Sequence, residues 1–158
     1  MREILFRAKA INRDPDREYR TDYKNGDWVY GFVTKLYNAT YNSPAEMKNT
    51  DGVSGIEVDC NTIGQFTGLR DKNGTMIFEG DIVKKRTWHG TKNLPVTFSF
   101  GCFHCGFGGG SSTATHPYTL DDKQIQVVGN IYDNPELVKE WLNELFLWRN
   151  RRAYSMAY

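Results

Sequence analysis

The stretch that most constrains this chain is a pair of β-prone runs, Ile63-Gly64-Gln65-Phe66-Thr67-Gly68-Leu69 and Thr75-Met76-Ile77-Phe78. Between them lies the polar link Arg70-Asp71-Lys72-Asn73-Gly74. Asn-Gly at the end of a short polar link reads as a hairpin turn, because both residues tolerate positive φ. Glu79-Gly80-Asp81 then interrupts the pattern before Ile82-Val83 resumes it. A glycine at that place predicts a bulge or a sharp corner between strands. Small barrels turn their corners in this way.

The rest of the chain agrees with a β-dominated fold. Aromatic residues make up 14% of it and glycine occurs 15 times, which suits pleated, half-buried surfaces joined by tight turns. Residues 4–11, 28–37, 55–60, 94–100 and 125–132 read as strands. In the fourth of these, Val96, Phe98 and Phe100 share one face. Residues 38–54 are polar, carry Pro44 and Asp51-Gly52, and read as a long loop. Residues 101–117, rich in glycine and serine, read as another. Asp133-Asn134-Pro135-Glu136 carries helix-start signals: an Asx cap, proline at the first helical position and an early acid. Leu137, Val138, Trp141, Leu142, Leu145 and Trp148 follow at helical spacing. The fold expected is mainly β: a small SH3-like or related barrel with hairpins, plus a C-terminal amphipathic α-helix. With 158 residues, one domain over 1–148 and a basic tail over 149–158 are expected, and a sizeable core can be buried without staples.

Charge excludes some partners. The formal net charge is +1, so no global field draws nucleic acid or anionic lipid, and any such binding must come from a local patch. No apolar run is long enough to span a membrane, and the first residues lack the apolar core of a signal peptide. A cytoplasmic protein is expected, with no membrane partner. Three cysteines argue against a disulfide framework and for thiols.

Several residues invite chemistry. Cys102, His104 and Cys105 sit in a CxHC arrangement that could give one edge of a zinc site. Two more ligands would be needed; Cys60, His89 and His116 are the other candidates, and there is no second CxxC. A redox reading wants the cysteines at a helix start, whereas glycines follow them here. The Gly106–Gly110 run lacks the Gly-Lys-Ser/Thr of a phosphate loop. A calcium loop starting at Asp71 fails at Met76 and Ile82, where glycine and glutamate belong. Lys84, Lys85, Arg86, Trp88 and Lys92 combine positive charge with an aromatic, as a nucleic-acid surface does; a lysine-rich edge strand is the plainer reading. Trp141, Leu145, Trp148 and Arg149 carry the large and cationic side chains that anchor interfaces, or the helix simply covers one end of a barrel. No convincing Ser-His-Asp or Cys-His-Asn set stands out, so no catalytic residues and no cofactor are expected.

Three blocks give the chain a resemblance to the YopX family of bacteriophage and prophage proteins. They are Phe6-Arg7-Ala8, the run Thr62–Gly74 continuing through Ile77–Val83, and Val128-Gly129-Asn130-Ile131-Tyr132-Asp133-Asn134-Pro135-Glu136-Leu137. Gly26-Asp27-Trp28-Val29-Tyr30-Gly31 is also similar to the family. The resemblance implies a mainly β fold with a barrel-like part and terminal helical structure, together with self-association, and it carries no established biochemical activity to this chain. Cys102-Phe103-His104-Cys105, the glycine run after it and the tail from Arg149 fall outside the family pattern. The blocks hold a turn, a corner glycine, strand residues and a cap, which suits a scaffold better than an active site. The expected function is that of a phage or prophage accessory protein in a bacterial host cell. It is expected to be non-enzymatic and to act as a homo-oligomer through contacts with itself and with a phage or host protein. The alternative is a nucleic-acid-binding module using residues 84–92.

Overall fold

The structure is a computed structural model, and it describes residues 3–12, 23–37, 44–87, 90–99, 101–106, 118–120 and 124–139. The chain divides into two compact units. One comprises Met1–Leu69 and Met76–Glu79, the other Arg70–Thr75 and Gly80–Tyr158.

The first unit holds a six-stranded antiparallel sheet. Its strands are β1 (Phe6–Lys9), β2 (Trp28–Leu36), β3 (Pro44–Asn49), β4 (Ile56–Asp59), β5 (Gly64–Arg70, whose last residue belongs to the second unit) and β6 (Met76–Phe78). They lie in the order β4-β3-β2-β1-β5-β6. Alternation along each strand sends Ala8, Val29, Ala45, Met47, Ile56 and Val58 to one side, where with Ala10 they form the core. A smaller cluster joins Leu5, Phe66 and Phe78, with Met76 against it.

β3 corrects the expectation of a long loop over 38–54. Ala45 and Met47 are fully buried, whereas Glu46 is half-buried and Lys48 exposed. A strand with a polar outer face and Pro44 at its first residue resembles a loop in composition, yet its period of two is a strand's.

The second unit holds a five-stranded antiparallel sheet. Its strands are β7 (Asp81–Thr87), β8 (Gly90–Ser99), β9 (Cys102–Cys105), β10 (Tyr118–Thr119) and β11 (Gln126–Asn130), in the order β10-β9-β8-β7-β11. Ile82, Val83, Leu94, Val96, Cys105 and Ile125 are buried. β9 corrects the second expected loop: Cys102 to Cys105 pair with β8, from Ser99↔Cys102 to Val96↔Cys105.

The expected hairpin over 63–78 is present as β5 and β6, and Gly74 has φ +84°. The corner falls at Gly80, with φ +83°. There its N–H reaches Val96 O and its carbonyl accepts from Ile131 N, both at 2.9 Å.

The mainly β expectation holds; of the expected SH3-like or related barrel, no closed barrel is found among the described residues. Among the described residues both sheets are open, since their end strands do not pair as closure requires. The first sheet curls only far enough for one isolated bridge between Ala10 and Val58.

The helix-start signals at 133–136 introduce a 3₁₀ turn, Pro135–Val138. Asn134 makes no side-chain cap bond to it. Its Oδ1 turns back to accept from Asn130 N at 3.3 Å. The rest of the expected amphipathic helix lies outside the described residues. No helix among the described residues is long and apolar enough to cross a membrane.

Candidate functional site

The basic segment is divided by strand alternation. Lys84 and Arg86 are exposed on one face of β7, whereas Lys85 turns to the other face and keeps 8% exposure. Lys92 is the cross-strand partner of Lys85 and is half-buried. Two of the four described cations, Lys84 and Arg86, therefore share an accessible face. Trp88 lies outside the described residues.

Strand geometry also divides the cysteine motif. Cys102 is exposed and Cys105 buried, as expected for residues three apart on a strand. Among the described residues no group of three or more His, Cys, Asp or Glu side chains is placed to hold a metal ion. His89 and His116 lie outside the described residues.

His104, 2% exposed, is held at both ring nitrogens. Nδ1 lies 3.1 Å from Thr97 O and Nε2 lies 3.0 Å from Ser99 Oγ. The Thr97 hydroxyl donates to Gly106 O at 3.0 Å. The carbonyl of Thr97 can only accept, so the hydrogen-bond network assigns the ring proton to Nδ1 and leaves Nε2 to accept from Ser99. Burial lowers the His104 pKa and favours this neutral form. Burial likewise pushes the Cys105 thiol up to about 11, although Lys85 acts against the rise.

The expected interface residues Trp141, Leu145, Trp148 and Arg149 lie outside the described residues. The structure places large apolar side chains at the surface elsewhere. In the second unit Phe98 is 52% exposed, and its ring meets Phe103 edge-on, with centroids 4.9 Å apart.

In the first unit, one face of β2 carries Trp28, Tyr30 and Phe32. Each has a cation as its cross-strand partner: Lys9 opposite Trp28, Arg7 opposite Tyr30 and Lys48 opposite Phe32. The Arg7 guanidinium lies 4.5 Å from the Trp28 ring centre and 4.9 Å from that of Phe78. Lys9 Nζ lies 5.2 Å from Trp28. In sequence both runs are legible as strands, but the surface they form is not. Its signal was an aromatic at every second position of β2 and a cation at every second position of β1. The facing register is what only the structure supplies.

The central and closing blocks work as backbone fixtures. Asp71 Oδ1 accepts from Asn73 N at 2.8 Å and Thr75 N at 2.9 Å, and Oδ2 accepts from Val127 N at 2.9 Å. Burial alone would raise its pKa, but these amides outweigh it and hold the carboxyl below its ordinary value. Asn130 Oδ1 accepts from Tyr132 N and Asp133 N, at 3.0 and 2.9 Å. Gly129 leaves room for the Asn134 side chain, since a Cβ there would lie 2.5 Å from Asn134 Oδ1.

Comparison with known proteins follows the same blocks. No curated protein matches the chain. Among solved structures it is similar to the crystal structure of protein EF1440 from Enterococcus faecalis, at 26% identity and a TM-score of 0.46. That similarity covers 87% of this chain and 99% of the other. The family model described as YopX protein matches residues 15–139. This range includes the central and closing blocks and leaves Phe6-Arg7-Ala8 outside. With the match spanning most of its length, the chain belongs to the YopX family.

Proposed function

We propose that this chain is a non-enzymatic accessory protein of phages or prophages that assembles with copies of itself and acts through protein–protein contacts. The observation that carries the reading is the exposed Phe98 ring, packed edge-on against Phe103 on the β8–β9 hairpin. Exposed aromatic side chains are the kind that anchor interfaces by burial against a partner. The engagement of Asp71, Asn130 and Asn134 with backbone amides supports a scaffold role for the blocks.

Light scattering over a concentration series tests the reading, with wild type beside Phe98→Ser. The wild type is expected to form a discrete oligomer. The variant is expected to dissociate while its circular dichroism is unchanged. A wild-type monomer at every concentration, or a robust hydrolase activity, overturns the proposal.

A further inference from the structure

We infer that the aromatic face of β2 in the first unit binds single-stranded nucleic acid. Tyr30 is 36% and Phe32 50% exposed. They lie two residues apart on one strand, so their side chains leave the same side of the sheet at points about 7 Å apart. That spacing suits successive bases of an extended, unstacked strand. Every base has a π-face, so stacking on such rings tolerates any sequence.

The cations supply the complementary charge. Lys48 is exposed beside Phe32, and half-buried Lys9 flanks Trp28 at the other end. Arg7, 7% exposed, serves a different purpose: its guanidinium packs on Trp28 and Phe78 and fixes the edge of the platform. Glu46 and Glu57 face one another across β3 and β4 and bound the surface on the acidic side, so a polyanion would run along β2 toward β1. A duplex hides its base faces within the stack, so this surface favours single strands.

Fluorescence anisotropy of a fluorescein-labelled oligothymidylate tests the inference on the full-length protein, across a salt series. The wild type is expected to bind, with affinity falling as salt rises. Tyr30→Ala and Phe32→Ala are each expected to weaken binding about tenfold. Lys48→Ala is expected to reduce the salt slope by about one. The double variant Lys84→Ala/Arg86→Ala, on the second unit, is expected to bind as wild type. These side chains are exposed, and circular dichroism checks that each variant is folded. Three results overturn the inference: no binding at low salt, binding undiminished in both aromatic variants, or loss confined to the Lys84/Arg86 variant. Self-association is read separately by light scattering, so this proposal and the preceding one can fail independently. Loss of self-association in Tyr30→Ala or Phe32→Ala without nucleic-acid binding would assign the face to copies of the chain instead.

Discussion

Val127 donates its backbone N–H to the carboxylate of Asp71 across 56 positions of sequence, at 2.9 Å. The same carboxylate takes two amides of its own turn. One buried side chain thus sets the shape of the 70–75 link and its attachment to β11 within the second unit. Asp71→Ala would leave those amides without their acceptor, at a cost on the order of 3 kcal/mol. Urea unfolding checks this, with Asp71→Asn expected to fall between the variant and wild type.

The same residue gives an acid limb to stability. The folded pKa of Asp71 is below its ordinary 3.8, so its contribution is fully present above that pH. It is lost as the pH falls through the folded value, where protonation removes the charged acceptor. Unfolding curves taken below pH 3.8 should drop more steeply for wild type than for Asp71→Asn.

His104 acts in a higher window. Burial lowers its pKa from the ordinary 6.5, so below that pH the unfolded chain binds the proton more readily than the fold does. Stability should fall as pH drops from 6.5 through the folded value. His104→Gln is expected to be less stable at neutral pH and to lose this slope. A slope identical in both proteins would show that the imidazole is not its source.

Gly129 and Asn134 form a coupled pair. A Cβ on residue 129 would displace Asn134 Oδ1 and so break its bond to Asn130 N. Gly129→Ala is expected to cost about 2 kcal/mol and Asn134→Ala about 1 kcal/mol. The double variant should cost clearly less than the two together, since the clash vanishes with the asparagine. A double-mutant cycle by thermal unfolding measures the difference.

The thiols should separate by reactivity. Cys102 is exposed, whereas Cys105 is buried and its pKa is pushed up to about 11. Iodoacetamide at neutral pH is expected to label Cys102 first and to spare Cys105 until the protein unfolds. Peptide mass mapping reads the order.

The hairpin over 63–78 and the Gly80 corner were legible in the sequence because their information is local: Asn-Gly at a turn and a lone glycine between strands. β3 was not. Pro44, Glu46 and Lys48 make it polar, and only the neighbouring strands show that Ala45 and Met47 point into a core. The basic segment proposed from sequence reads the same way. A run of charges at 84–86 looks like one patch in sequence, but a period of two puts Lys85 on the opposite face from its neighbours. The aromatic face of β2 needed the converse, because the cation opposite each ring comes from a strand distant in sequence. Whether a sheet closes into a barrel is hard to read for a related reason: closure depends on which edge strands meet, and no local signal records that.

The route of the backbone through the two units limits how the protein can be divided. The chain enters the second unit at Arg70, leaves it after Thr75 and returns at Gly80. A fragment beginning at Gly80 would carry Val127 without the carboxylate that accepts its amide proton, and one ending at Leu69 would lack β6. No single cut parts the two cleanly: residues 70–158 hold the whole second unit but carry Met76–Glu79 of the first, and residues 1–79 hold the whole first unit but carry Arg70–Thr75 of the second. Genetic exchange at any one breakpoint within the chain would therefore leave at least one of the two units incomplete.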